Sequence, residues 1–327
     1  MLYGGLIPGA ISLVLMMSVW YLHAFQQSRA DHIDDQYVDE NEDGYEEGSS
    51  NGSKRKSFGP RWMLPILLAL GFAGADFASN EMLHLWPEGN NYRFTHAISL
   101  IALAAVVEGL ISLPLLLGFG IRILAYGGAF WMLTEGYESS VFGDTPTFVG
   151  YTFVAAIFAT MIATVADKNS EETPAWIDSI TWLVIAGGTM PILLLNHFSI
   201  GAMIPAGIIA VLVSTLITSL IFRNVRLSRG GVTVLVGFIL TMISGSVVQT
   251  GADFLPSVIL LAIAPVVACV PLKGYPGIWK LGIRLIMLIV ILGAAGGLMQ
   301  WSASNQDADE SGYYADDYYE TESEIEQ

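Results

Sequence analysis

The feature that most constrains this chain is a succession of apolar runs, several of them separated only by tight Gly- or Pro-bearing turns. Each run is roughly 17–25 residues long, the length a helix needs to cross the hydrocarbon of a bilayer. Ten can be marked: Leu2 to Phe25, Trp62 to His84, His96 to Leu117, Ile121 to Tyr137, Phe148 to Ala166, Ile177 to His197, Ile200 to Phe222, Val232 to Val248, Leu255 to Pro271 and Ile278 to Gln300. The fourth, eighth and ninth lie near the lower limit, so a kinked or re-entrant segment is expected among them. In lipid, a helix satisfies every backbone polar group within its own segment. The expected fold is therefore an all-α integral membrane protein of about ten transmembrane helices.

Charge supports this reading. Only 13% of residues are charged, against 53% hydrophobic, and soluble domains carry roughly 25% charged residues. The net charge of −16 is concentrated in two stretches: nine acids from Asp31 to Glu47 and nine more after Trp301. The expected organisation is a first helix over 1–25, a disordered acidic-then-basic loop over 26–61, a nine-helix membrane domain over 62–300 and a disordered acidic tail over 301–327. Both polar stretches lack the large apolar side chains that would offset the entropy of ordering. The single cysteine, Cys269, allows no intramolecular disulfide and no thiolate metal cluster.

Basic residues segregate. With each loop numbered by the run it follows, and basic residues near the start of a run, such as Arg122 and Arg284, counted with the adjacent loop, the odd-numbered loops hold 13 of the 14 Lys and Arg residues, and the even-numbered loops hold Arg93 alone. Cytoplasmic loops favour Lys and Arg. The segregation places the odd loops in the cytoplasm and both termini outside, in a cell (inner) membrane. One run missed or invented would scramble it, so it also supports the count of ten.

A faint internal repeat adds detail. Gly143, Asp144 and Pro146 open the fifth run; Gly251, Asp253 and Pro256 open the ninth. The second run ends on His84 and the sixth on His197. Runs two to five and six to nine would then be two parallel four-helix repeats, flanked by the first and last runs.

The costly residues are the charges inside apolar runs. A charge at the bilayer centre costs roughly 2.5–3.5 kcal/mol on insertion scales. Glu108 falls near the midpoint of the third run and Asp76 near the middle of the second. A hairpin of these two helices would bring the carboxylates to similar depth, where they would repel when both ionised, and such a pair makes a proton or Na⁺ site. The bland alternative is that Glu108 bonds a nearby hydroxyl and only locks packing. Arg284, a turn and a half into the last run, is expected to snorkel to the surface; its alternative is to serve as counter-ion to Glu108. On the outer face, Glu81 and His84 are three apart on one helical face, and with His96 and His197 they form a weak metal candidate. Interface residues at helix ends have the same composition.

Nothing in the chain resembles a P-loop, a His-Glu-x-x-His zinc site or a Gly-x-Ser-x-Gly elbow. No cofactor is implied, and so acidic a chain is a poor partner for nucleic acid. The expected partners are the lipid bilayer and a small solute or ion. The leading reading is a permease-like transporter, using Asp76, Glu108 and Arg284. The alternatives are an integral membrane enzyme with a site at the outer face, or a non-catalytic membrane scaffold.

Overall fold

Every regular element among the described residues is helical. The computed structural model describes residues 9–22, 62–80, 93–111, 114–135, 141, 143–195, 205–222, 227, 229–250, 255–272 and 274–325. We label the helices α1 (Gly9–Leu22), α2 (Met63–Asn80), α3 (Arg93–Leu110), α4 (Leu115–Thr134), α5 (Thr145–Glu172), α6 (Ala175–Leu195), α7 (Pro205–Ile221), α8 (Arg229–Thr250), α9 (Leu255–Ile263) and α10 (Gly277–Ile325). A 3₁₀ turn, Ala264–Cys269, continues α9.

Six helices contain stretches long and apolar enough to cross a membrane: α3, α4, α5, α6, Gly230–Val248 of α8 and Gly277–Ser302 of α10. Shorter apolar helices occupy the positions of the first, second, seventh and ninth runs. The chain is thus an all-helical protein suited to a membrane. Side chains such as Leu116, Leu124, Val154, Ile286 and Ile289 are exposed on its outer surface. In water they would form an apolar patch without purpose; against lipid tails they cost nothing.

The centre of the bundle is α8. It packs against α2, α3, α4, α5, α6 and α9, and its Gly230–Val248 stretch is entirely buried. A helix that is apolar all round has no face to offer water, so it goes inside. Small residues let its neighbours come close. A Cβ at Gly237 would stand 2.8 Å from Ile101 and from Tyr126, closer than carbon atoms pack. At a second crossing, α2 meets α7 through Gly71 and Gly207, where a Cβ on Gly71 would be 2.8 Å from the Gly207 carbonyl. Hydroxyls within the bundle bond back onto their own helices, as Thr160 does to Ala156 O at 2.8 Å and Thr189 to Ile185 O at 2.7 Å. That keeps polar side chains satisfied where no water is available.

Several boundaries differ from the sequence expectation. The third run breaks at Leu110 instead of continuing to Leu117, because Pro114 has no N–H to donate and restrains the residue before it. The fifth helix continues past Ala166 to Glu172. The ninth is the broken one: α9 passes into the 3₁₀ turn at Ala264, where Pro265 removes a helical donor. The backbone of α10 is helical through Ile325, whereas a disordered tail is expected after Trp301. Extending an existing helix needs no new nucleus, so the backbone can continue past the last apolar turn. The loop over 26–61 lies outside the described residues.

The two proposed repeat units pack differently. In the first, α3 rests extensively on α4; their counterparts in the second, α7 and α8, form no comparable contact among the described residues. The first unit closes with a continuous α5, the second with α9 and its 3₁₀ turn.

Candidate functional site

The early end of α3 moves Glu108 from mid-helix to the last turn. There it is 7% exposed and meets side chains from two other helices, α4 and α8. From the second turn of α4, Arg122 donates through Nε to Glu108 Oε1 at 2.9 Å and to Oε2 at 3.0 Å, and through Nη2 to Oε2 at 2.9 Å. The same Nη2 donates to Asp167 Oδ2 of α5 at 3.1 Å, and Nη1 donates to the Thr164 hydroxyl at 3.0 Å. Thr233, in the first turns of α8, donates its hydroxyl to Glu108 Oε2 at 3.3 Å. Tyr126, one turn beyond Arg122, donates to the Thr233 carbonyl at 2.8 Å. One guanidinium therefore serves two buried carboxylates, and hydroxyls from α5 and α8 complete the shell. Arginine suits this role because its planar fork meets a carboxylate through two bonds and still has donors left over.

The cluster forms one wall of a cavity of about 500 Å³. Glu108, Arg122, Thr164 and Asp167 supply the charged side; Pro114, Leu115 and Phe119 supply an apolar side; Lys168 and Glu171 stand on the last turns of α5. The cavity opens where α3 ends, α4 begins and α5 ends, so it lies at the end of the bundle that carries the odd-numbered loops.

A second buried ion pair lies at the same end. Arg284 is 1% exposed. Its Nη1 donates to Asp178 Oδ1, in the first turn of α6, at 2.6 Å, and its Nη2 reaches the Ala268 carbonyl of the 3₁₀ turn at 3.4 Å. Asn169 of α5 donates to the next carbonyl, that of Cys269, at 2.6 Å. Side chains from α5 and α10 thus take up carbonyls that the broken helix leaves open. The crevice beside this pair measures about 10 Å³, no more than the space for one water. At the opposite end of the bundle, Arg93 donates to the Met132 and Glu135 carbonyls at 3.2 and 2.6 Å and caps the last turn of α4.

The structure separates the sequence-predicted residues. Glu108 does point into the bundle and is paired, through Arg122. Arg284 neither snorkels nor reaches Glu108: Asp178 holds it inside, because a partner within the bundle satisfies the charge without a route to the surface. Asp76 stands four residues from the end of α2, level with the start of α3, so its backbone is separated from Glu108 by roughly ten residues of helix rise, about 15 Å. The second carboxylate that the described side chains place near Glu108 is Asp167, which shares Arg122 with it. Of the metal candidates, His96 lies in the first turn of α3, while Glu81, His84 and His197 fall outside the described residues. No group of three His, Cys, Asp or Glu able to hold a metal stands together among the described residues. Arg122, Asp167 and Asp178 were missed because each can be read as a loop charge. The available signal was that Arg122 lies inside an apolar run as surely as Arg284 does. Comparison of the chain with protein families, with characterised proteins and with solved structures gives no match.

Proposed function

We propose that this protein is a permease-like transporter that moves a small solute or ion, and that Glu108, Arg122 and Asp167 form its coupling element. The observation that carries the reading is the buried cluster of Glu108, Arg122 and Asp167 on the wall of an open cavity of about 500 Å³. Buried carboxylates that border an opening are groups a proton or a Na⁺ ion can reach, and a site that takes up and releases one positive charge beside an accessible cavity has what gradient coupling requires. Intramembrane acids in transporters serve this purpose. The proposed topology has ten spans, both termini outside and the cavity opening to the cytoplasm, following the distribution of basic residues.

The test is untargeted uptake in proteoliposomes. Vesicles holding the protein are given a mixture of small metabolites, with and without a pH or Na⁺ gradient, and their contents are read by mass spectrometry. Wild type should accumulate at least one solute in a gradient-dependent way. Glu108→Gln should keep the fold, because the amide fills the same space and still accepts from Arg122, and should lose that accumulation. Gradient-independent contents in wild type, or normal accumulation by the Gln variant, would end the coupling role. External labelling of cysteines introduced near residues 54–56 would end the orientation.

A further inference from the structure

From the wall of the cavity we infer a ligand class: a small zwitterion, an α-amino acid with an apolar side chain. The inference rests on the transporter reading for its biological meaning, but its physical basis is separate. The cavity is a groove between the start of α4 and the end of α5. From α4 come Leu115, Gly118, Phe119 and Arg122, and from α5 Thr164, Asp167, Lys168 and Glu171. In each set the later residues stand three, four and seven positions after the first, so each set is one face of its helix. About 500 Å³ is far more room than a proton or a bare Na⁺ needs and lies in the range of organic-ligand pockets. Gly118 helps to keep the groove open, since a Cβ there would meet no atom within 4 Å.

The wall chemistry narrows the choice. The start of α4 supplies an apolar side, Leu115 and Phe119. The rest of the wall carries both signs in succession: Glu171, Lys168 and Asp167 on α5, then Arg122 and Glu108. A wall of mixed sign suits a molecule that carries both signs at once. A simple cation or a simple anion would be opposed by part of it, whatever the wall's total charge. Bonding capacity of both kinds is also left over. Arg122 Nη1 has two N–H groups and donates one bond, to the Thr164 hydroxyl. Lys168 is exposed at the mouth, and its ammonium has no partner among the described residues. Glu108 Oε1 accepts one bond, from Arg122 Nε at 2.9 Å, and a carboxylate oxygen can accept two. The ligand carboxylate is therefore assigned to Arg122 and Lys168, and the ligand ammonium to Glu108. An alkyl or ring side chain on the same ligand would bury against Leu115 and Phe119.

The experiment is equilibrium binding to the full chain in detergent, by calorimetry and thermal shift. The probes are free leucine and three fragments of it: isocaproate, which lacks the ammonium, isoamylamine, which lacks the carboxylate, and glycine, which lacks the side chain. Leucine should bind saturably and raise the melting temperature. Each fragment should bind at least about tenfold more weakly, the size of one lost bond to a charged group or one unburied side chain. Gly118→Leu should abolish leucine binding without lowering the melting temperature, because the new side chain enters open space in the groove. Gly120→Leu adds the same side chain to the same helix, also with no atom within 4 Å but away from the groove, and should bind leucine as wild type does. Absence of leucine binding overturns the inference. Equal binding of any fragment does the same, as does leucine binding that survives Gly118→Leu or is lost in Gly120→Leu. Should Gly118→Leu fail to fold, Phe119→Ala should reduce the preference for leucine over glycine, and an unchanged preference overturns the inference. Because the assay involves no membrane, it separates the two ideas. Leucine binding without any uptake would end the transporter reading alone. Gradient-driven uptake of another solute without leucine binding would end this inference alone.

Discussion

Two buried arginines lie at the same end of this bundle, and their settings differ. Arg284 has one carboxylate, Asp178, and a backbone carbonyl, and beside it there is space for no more than one water. Arg122 has two carboxylates and a hydroxyl, and it borders a cavity of about 500 Å³. The chemistry of each contact is similar, but the access is not. A closely packed pair does its work by staying intact. A cluster beside an opening can exchange what lies against it. The contrast shows why burial of a charge within an apolar bundle is a weak guide to function: the surroundings assign the role.

The largest effect should follow from breaking the sealed pair. Arg284→Met removes the guanidinium from a buried pair and should cost about 3–5 kcal/mol, the usual result of removing one partner of such a pair. The loss should appear as a lower melting temperature in detergent. Adding Asp178→Leu should recover most of it, because an apolar pair of similar volume needs no desolvation. A single variant as stable as wild type would show that water reaches the pair and would erase the contrast.

Arg122→Met should cost less, about 1–3 kcal/mol, between the values for exposed and for sealed pairs. The cavity admits water to the carboxylates that lose the guanidinium, which limits the cost. The loss should appear as a smaller drop in melting temperature in detergent than that of Arg284→Met. If Arg122→Met proved more damaging than Arg284→Met, the cavity would not be accessible in the way the geometry implies.

How much of this was legible follows from the same two sites. Apolar runs locate helices because lipid demands them, and the described helices lie where the runs are. That Glu108 must face protein was legible too, from the cost of its charge. Its partner was not, because the partner depends on where α3 stops. Pro114 was visible in the sequence, yet an apolar stretch on both sides of it reads as one span, and moving the end by about two turns changes which residues share a level. Arg284 was misassigned for a related reason. A basic residue near a span end can snorkel or pair, and the choice depends on whether an acid on a distant helix, here Asp178, arrives beside it. The sealed centre around α8 was similarly hidden: its run looked too short to be certain as a span, but a helix surrounded by others needs no surplus length.

The smallest effect should come from a carboxylate on the same helix as Asp167 but in the opposite setting. Asp144 is fully exposed and precedes α5, accepting from the Thr147 backbone N–H at 2.8 Å. That is an N-cap, which satisfies one of the donors a helix start leaves open. Hydrogen bonds from Thr147 hold the Asp144 carboxyl below its ordinary range. The sign follows: a carboxyl whose folded pKa is depressed adds stability above its unfolded pKa and loses it as the pH falls through the folded value. The cap should therefore be fully formed at neutral pH and fade in acid. Asp144→Ala should remove that pH dependence and speed amide exchange in the first turn of α5, read by hydrogen-exchange mass spectrometry. Asp144→Asn should retain much of the cap while abolishing its titration, because an amide oxygen still accepts. Neither variant should affect the ion cluster more than 20 residues away along α5. A change in gradient-driven uptake on Asp144→Asn would mean that the exposed and buried ends of α5 are coupled, and the contrast between a local cap and an accessible charge site would no longer hold.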